Sequence, residues 1–321
     1  MQEPIWDIAH LAHVEMYSPR LEESVQFFTQ ILGMSVSGRA GKSVYLRAYD
    51  DYEHHTLKLT AHPHPGIGHY AWRMRSPQAL QRRVAAIEAT GHGIGWTEGD
   101  LGHGPAYACI HPGGGHRVEL YFDSDKYQPG AADASALKNT ISRFPGRGAN
   151  VRRLDHLNLL AKDVKAFRDF QLGTLGGILT ETILFENDNP QGVWFAVNAK
   201  SYDLAVTCDH LQMENRLHHV TYAVNSREEV LLAADVCLEN GIFIEAGPHK
   251  HAVQQTFFLY VYEPGGNRIE IANATARLVL DPDYKTIVWT REDRAKGQAW
   301  GLETVSSFHT RGTPMPEDLP S

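Results

Sequence analysis

Short hydrophobic runs, amphipathic stretches and glycine-rich turns follow one another along the chain. The segments DHLNLLAKD and HHVTYAV are rich in leucine, valine and aromatic residues, which predicts β-strands. The segment SREEVLLAADVCLENG predicts a helix, because Ser226 is a favoured N-cap, Glu229 stands at the capping-box position and Gly241 follows the last turn. The turns HPGG and EPGG each separate two further strands.

The same pattern occurs twice in the chain. Three blocks match in the same order: residues 11–34 with 154–177, 68–94 with 218–244, and 111–122 with 263–272. Chance does not explain three ordered matches, so the chain is a tandem duplication. The predicted fold class is α+β, with tandem βαβββ modules, two modules per domain and two domains.

The repeat and the local composition together predict the domain boundaries. Residues 1–130 form the N-terminal domain and residues 151–280 form the C-terminal domain. The intervening residues 131–150 are polar and small, which is typical of a linker. Residues 281–321 have no counterpart in the repeat and are predicted to be a C-terminal extension.

Composition narrows the class of protein. With 30 Lys and Arg against 38 Asp and Glu, the formal net charge is −8, which argues against binding to nucleic acid or to anionic membranes. No apolar run is long enough to span a bilayer, and the N-terminus lacks the features of a signal peptide. Cys109, Cys208 and Cys237 lack metal-type spacing, so we expect a cytoplasmic protein with reduced cysteines.

Histidine is unusually frequent, with 18 residues, and neutral imidazole is the commonest metal ligand in proteins. In the C-terminal half, His156, His219 and Glu270 each lie in a predicted strand, so all three side chains can face one side of a sheet. Two histidines and one carboxylate form the facial triad of non-haem Fe(II) oxygenases. A Zn²⁺ hydrolase uses similar ligands, and the spacing alone does not separate the two.

A simpler interpretation is that these are polar residues on solvated strands. The N-terminal half carries the same residue types at the matching positions, His13, His69 and Glu119. Recurrence of all three positions in both halves disfavours the simpler interpretation.

With these residues the chain resembles the vicinal oxygen chelate superfamily, and within it the two-domain type I extradiol catechol dioxygenases. The segment that runs from His251 through LY and EPGG to Glu270 matches the signature around the glutamate ligand of that family. RLDHLN and RLHHV match the segments that carry the two histidine ligands, and the resemblance covers roughly residues 8–300. It implies that His156, His219 and Glu270 bind Fe(II), with Mn(II) as the alternative. Strand alternation would turn His218 to the opposite face, as a packing or surface residue.

The resemblance also implies roles around the metal. Tyr260 and His251 would be catalytic and contact the substrate oxygens, and Asn158 and Trp194 would line the substrate cavity. Relatives carry a histidine where the segment YDLAVT places Tyr202. Tyr202 is therefore the third predicted catalytic residue, and it could stabilise an oxygen intermediate by hydrogen bonding. Because the reference pKa of a phenol is about 10, against about 6.5 for imidazole, it would be a poorer base near neutral pH, which would alter the substrate choice or slow a proton transfer. His210 is an alternative if its loop folds over the site.

The two halves differ around the shared triad. In the N-terminal half Ala108 stands in the place of Tyr260, Gly99 near that of His251, and Glu15 in that of Asn158. Catalysis needs positioned partners as well as metal ligands. We therefore predict a catalytic C-terminal half and an N-terminal half with a relic site and a structural role.

The function that the resemblance implies is cleavage of a small aromatic diol by O₂ to a 2-hydroxymuconic semialdehyde. Relatives that act on carboxylate-bearing catechols carry arginines near the segment before His251. Here that segment is IEAGPHKH, which has no arginine, so catechol or an uncharged methyl- or chlorocatechol is favoured. A trihydroxybenzene or hydroquinone-type substrate is one alternative, and a glyoxalase-like, resistance or non-catalytic aromatic-binding protein of the same fold is another. The resemblance further implies a homo-oligomer, either a dimer or a tetramer.

Overall fold

The structure is a computed structural model that describes residues 5–185, 189–273, 278–279, 281–295 and 297–319. The first four residues of the predicted N-terminal domain and the predicted boundary at residue 280 lie outside the described residues. In the described part of the chain, the long strands form one eight-stranded and one nine-stranded sheet. No helix within these residues is long and apolar enough to cross a membrane.

The first sheet comes from the N-terminal half. Its strands are β1 (Ile8–Ser18), β2 (Ser35–Ala40), β3 (Ser43–Arg47), β4 (Leu57–Ala61), β5 (Gly66–Met74), β6 (Gly93–Thr97), β7 (Ala106–His111) and β8 (His116–Tyr121). Helix α1 (Leu21–Gln26) continues into a π-helical turn, and helix α2 (Pro77–Thr90) follows β5. The strand order is β2-β3-β4-β1-β5-β8-β7-β6.

The second sheet comes from the C-terminal half. Its strands are β9 (Arg153–Ala161), β10 (Ile178–Leu184), β11 (Pro190–Ala196), β12 (Leu204–Cys208), β13 (Arg216–Val224), β14 (Ile244–Lys250), β15 (Phe257–Tyr262), β16 (Arg268–Asn273) and β17 (Ile287–Trp289). Its helices are α3 (Val164–Phe170) and α4 (Arg227–Glu239). The strand order is β14-β15-β16-β13-β9-β12-β11-β10-β17.

The two sheets repeat one topology. The second order, read from β14, matches the first order read from β6, and β17 is an additional strand at the edge. Each half contains two βαβββ modules, so the predicted α+β fold class and the tandem duplication are confirmed. Helix α4 begins as predicted, because the Ser226 side chain accepts a hydrogen bond from the backbone N–H of Glu229. Gly241 follows the helix with φ +67°, a conformation that glycine adopts without strain.

Two buried histidines of the N-terminal half pack against the C-terminal half. His111 stacks on Phe167 with ring centroids 3.4 Å apart. His116 donates a hydrogen bond from Nε2 to the backbone oxygen of Arg216 at 3.0 Å, and its Nδ1 is buried without a protein partner. Burial lowers the pKa of His111 to about 3 and that of His116 to about 4.

This contact between the halves is expected to make the fold sensitive to acid. Because the folded pKa of His116 lies below the unfolded value of about 6.5, the neutral ring stabilises the fold above pH 6.5. That contribution is lost as the pH falls from 6.5 toward 4. At pH 5 the loss of unfolding free energy is about 2 kcal/mol. Glutamine keeps an N–H donor but does not titrate, so the loss of unfolding free energy between pH 7.5 and 5 should be about 2 kcal/mol smaller in His116→Gln. Urea unfolding of both proteins measures this, and an equal loss in the two contradicts the assignment.

The segments outside the repeats pack onto the sheets. Residues 131–150, all of them described, contain no helix or strand, yet Ser142 is buried and accepts a hydrogen bond from Arg47. The C-terminal extension returns to the second sheet, where β17 pairs in parallel with β10. It continues through helix α5 (Arg291–Ala295) and helix α6 (Ser307–Thr310), and Thr313 exchanges two backbone hydrogen bonds with Leu217 of β13. The extension therefore lies against the strands that carry the predicted ligands.

Candidate metal centre

Three neighbouring strands bring His156, His219 and Glu270 together. They lie on β9, β13 and β16, which are adjacent in the sheet. His156 Nε2 is 2.9 Å from Glu270 Oε2, and His219 Nε2 is 3.4 Å from the same oxygen. One ligand atom from each residue lies within 4.8 Å of the others, and all three side chains are buried. Among the described residues, it is the only group of three or more His, Cys, Asp or Glu side chains whose ligand atoms lie this close together.

Asp155 orients the first histidine. Its Oδ2 accepts a hydrogen bond from His156 Nδ1 at 2.9 Å, which leaves Nε2 to face the other two ligands. Burial opposes a charge on His156, but the carboxylates of Glu270 and Asp155 on either side raise its pKa. A carboxylate behind a histidine ligand fixes its tautomer and increases its basicity.

Two buried atoms of the triad lack a protein partner. His219 Nε2 and Glu270 Oε1 make no hydrogen bond within the protein, although both are shielded from solvent. Burying such atoms unpaired is costly, and burying the two carboxylates of Glu270 and Asp155 together adds to that cost. A divalent cation bound by His156, His219 and Glu270 would satisfy both atoms and offset the carboxylate charge. The residues present therefore fit the metal that the resemblance implies.

Thr221 was not predicted and lies between two of the predicted ligands. In the strand registers it is paired with both His156 and Glu270, and its hydroxyl donates to Glu270 Oε2 at 2.6 Å. The repeat contains a signal for it, because Ala71 occupies the matching position in the N-terminal half and is paired with Glu119. Thr221 orients the glutamate carboxylate from within the sheet.

Tyr260 and His251 form a second connected pair. Tyr260 lies opposite Glu270 in the β15–β16 register, and its hydroxyl donates to His251 Nε2 at 3.0 Å. His251 Nδ1 donates to Gln298 Oε1 at 3.0 Å, and Gln298 is held in turn by Thr304. With its only proton on Nδ1, a neutral His251 presents Nε2 as an acceptor. Burial and then the Glu270 carboxylate raise the pKa of Tyr260, so its phenol stays protonated.

Tyr202 lies against the first histidine. Its hydroxyl is 3.2 Å from His156 Nε2 and 2.9 Å from Thr256 Oγ1, and the residue is buried. Burial, followed by the charges of Glu270 and Asp155, raises its pKa well above the ordinary value. The phenol is therefore a hydrogen-bond donor near the ligands and a weak base. The alternative residue, His210, is exposed.

One cavity is lined by most of the side chains predicted to form the site. It is lined by His156, Asn158, Trp194, Tyr202, His219, His251 and Tyr260. The other lining residues are Ala205, Val253, Gln254, Arg294, Gln298 and Phe308. Arg294, Gln298 and Phe308 come from the C-terminal extension, which sequence reasoning assigned no role. The extension has no counterpart in the repeat, so no comparison within the chain could reveal these three residues.

The expectation that His218 faces away from the site is wrong. A register shift between Leu217 and His219 interrupts the alternation of β13, and the His218 and His219 imidazoles lie with their Nδ1 atoms 2.7 Å apart. His218 is fully buried and packs on Phe308 of the extension. The packing role is therefore correct, but the residue lies directly behind a predicted ligand.

The matching positions of the N-terminal half are arranged differently. His13 Nε2 lies 2.9 Å from His69 Nε2, whereas His69 Nε2 is 3.8 Å from Glu119. Charged neighbours occupy the group: Glu15 accepts from His69 Nδ1 at 3.0 Å, and Arg117 donates to Glu119 at 2.8 Å. Ala108 lies opposite Glu119, so this half lacks the counterpart of Tyr260, as the repeat predicted. The cavity beside it is lined by six acidic or basic side chains, His69 among them, and has a volume of about 450 Å³.

Known proteins are similar to both halves of the chain. A family model for the Glyoxalase/Bleomycin resistance protein/Dioxygenase superfamily matches residues 10–120 and 153–271. A metapyrocatechase from Geobacillus stearothermophilus is 43% identical over 316 residues, which cover 98% of this chain and 96% of the relative. A manganese-dependent 2,3-dihydroxybiphenyl 1,2-dioxygenase from Geobacillus genomosp. 3 is 34% identical over 298 residues, which cover 92% and 94%.

A solved structure is similar over almost the whole chain. Homoprotocatechuate 2,3-dioxygenase from Arthrobacter globiformis superposes with a TM-score of 0.84 at 26% identity, covering 97% of this chain and 93% of that chain. The family model accounts for both sheets, and the relatives extend the match through the C-terminal extension. The chain therefore belongs to the glyoxalase/bleomycin resistance protein/dioxygenase superfamily and, within it, to the extradiol dioxygenases.

Proposed function

We propose that the C-terminal half binds Fe(II), with Mn(II) as the alternative, and cleaves catechol or a small uncharged catechol next to the diol. The observation that carries the proposal is the buried His156, His219 and Glu270 group, with Tyr260 and His251 beside it. The metapyrocatechase name of one relative supports catechol, and the manganese-dependent relative supports the alternative metal. The product is a 2-hydroxymuconic semialdehyde that contains both atoms of O₂, so the reaction needs no further reductant.

The metal would supply an open coordination face for the two diol oxygens and O₂, and a route for electrons between them. The protein supplies the proton path and the shape. Tyr260 donates its hydroxyl proton toward the diol oxygens or to His251 Nε2, which accepts because Gln298 holds the His251 proton on Nδ1. Asn158, Trp194 and Phe308 line the cavity and would border the substrate ring.

The proposed role of Tyr202 can be tested with a histidine. An imidazole accepts a proton near pH 7, whereas the buried phenol of Tyr202 does not, because burial raises its pKa. We expect Tyr202→His to raise the turnover of catechol on the order of tenfold at pH 7, and Tyr202→Phe to lower it. Steady-state rates and the substrate profile measure both effects. If Tyr202→His leaves rates and profile unchanged, Tyr202 has no part in proton transfer.

The proposed reaction has a direct test. Anaerobically prepared protein loaded with Fe(II) or Mn(II) is mixed with catechol in air, and the yellow ring-fission product and O₂ uptake are followed. One O₂ per catechol with a yellow product is the expected result. A colourless intradiol product, or no reaction with either metal, contradicts the proposal. Protein without added metal is the control.

The choice of substrate needs a panel. The absence of arginine from residues 244–251 favours an uncharged substrate, whereas Arg294 of the extension lines the cavity and could pair with an anionic one. The panel therefore includes catechol, 3-methylcatechol, a trihydroxybenzene, 2,3-dihydroxybiphenyl and the anionic 3,4-dihydroxyphenylacetate. The proposal expects the highest kcat/KM for catechol or 3-methylcatechol, and a preference for the anionic or the trihydroxy substrate would contradict that assignment.

A further inference from the structure

His218 connects the C-terminal extension to the candidate metal centre. Its Nε2 lies 2.7 Å from the backbone oxygen of Phe308, and its Nδ1 lies 2.7 Å from His219 Nδ1. A carbonyl oxygen only accepts hydrogen bonds, so the proton of His218 must be on Nε2. A neutral His218 then has a bare Nδ1, which can only accept.

Arg268 disfavours a second proton on His218. The Arg268 guanidinium is buried, and its Nη1 lies 3.3 Å from His218 Nδ1 and 3.4 Å from His218 Nε2, almost equally close to both ring nitrogens. The same nitrogen donates to the backbone oxygen of Arg311 at 2.9 Å, while the other guanidinium nitrogens are paired with Glu245. A fixed positive charge at this distance disfavours an imidazolium. The geometry therefore places the His218 proton on Nε2, facing the carbonyl oxygen, and leaves Nδ1 facing His219 as an acceptor.

The proton between the two imidazoles must then belong to His219. The Nδ1–Nδ1 distance of 2.7 Å is a hydrogen bond, and His218 Nδ1 is its acceptor. His219 thus carries its proton on Nδ1, and its Nε2 lone pair is free. That Nε2 is the buried atom without a protein partner, 3.4 Å from Glu270.

We propose that His218 is a positioning residue that holds His219 in the tautomer able to bind metal through Nε2, anchored by the Phe308 carbonyl of the C-terminal extension. The inference rests on the proposed function, because it takes His219 as a ligand. Aspartate or a backbone oxygen often plays this part behind a histidine ligand, as Asp155 does behind His156. Here the direct partner is a second imidazole, and the backbone oxygen lies one step further away.

The test measures metal binding rather than turnover. The Kd for Mn²⁺ is measured by titration calorimetry on the full metal-free chain. We expect His218→Leu to raise this Kd between about 10-fold and 100-fold, as is typical when a ligand loses its supporting hydrogen bond. His218→Asn keeps an oxygen that can accept from His219 Nδ1, so it should retain most of the affinity. His249→Leu, a buried histidine of the same half that is outside the metal-site cavity, is the control.

Two results would overturn the inference: wild-type affinity in His218→Leu, or equal losses in the Leu and Asn variants, which would indicate packing alone. ¹⁵N NMR of the imidazoles in the unsubstituted metal-free protein gives the tautomers without any variant. It should show His219 protonated on Nδ1, and a proton on Nε2 would overturn the inference. If the unsubstituted protein binds no Mn²⁺ or Fe²⁺, or binds it equally well as Glu270→Gln, the proposed function fails instead.

Discussion

Glu270→Gln is expected to abolish metal binding and to lower ring cleavage on the order of 10³-fold, equivalent to about 4 kcal/mol of transition-state stabilisation. The amide has almost the same shape but no charge, and Glu270 is the carboxylate among the three proposed ligands. Its carboxylate also accepts a hydrogen bond from the Thr221 hydroxyl, which orients the side chain for metal binding. Metal content after dialysis and the rate of yellow product formation measure the two effects.

The duplication offers a matched control for this variant. Glu119 occupies the same register position in the N-terminal sheet, where it is paired with Arg117. Glu119→Gln should keep full metal content and turnover within about threefold, since its paired arginine is partly exposed and such pairs contribute little. If Glu119→Gln removes the metal and Glu270→Gln does not, the assignment of the catalytic half is wrong.

The second large effect is expected for Tyr260→Phe. The change removes one hydroxyl that donates to His251 and lies opposite Glu270. Because removal of a preorganised donor to a developing oxyanion costs about 10² to 10³ in kcat, we expect a loss in that range. The KM for catechol should change little, since the diol would still be held by the metal and bordered by Asn158 and Trp194.

The Tyr260 variant needs a control for the loss of any buried phenol. Tyr45 in the N-terminal sheet is buried and donates to Asp100 at 2.7 Å, away from the proposed site. Tyr45→Phe should therefore leave kcat within about threefold. A kcat of Tyr260→Phe within threefold of the unsubstituted enzyme would show that the hydroxyl does not act in the reaction.

The repeat explains why much of this site could be predicted from sequence. Local patterns predict short strands and capped helices, and alignment of the two halves shows which positions share a place in the sheet. His156, His219 and Glu270 therefore emerge as a group although they are distant in the chain, and the register places Tyr260 and Ala108 at equivalent positions.

Other parts of the site depend on long-range packing. Gln298 and Phe308 belong to an extension without a repeat partner, which pairs with the sheet edge at β10 and also lines the cavity. The prediction for His218 failed for a local reason, since strand alternation assumes a regular ladder and β13 contains a register shift. A single sequence does not reveal such an irregularity.

The polar contacts of the N-terminal group have a consequence for the duplicated gene. Glu15 contacts His69 and Arg117 pairs with Glu119, so two positions that match proposed ligands hold bonds of their own. Binding a metal there would require these bonds to be lost before any new activity could be selected. Ala108 would also need a large phenol in a fully buried position. Divergence of the two copies is therefore difficult to reverse by single substitutions.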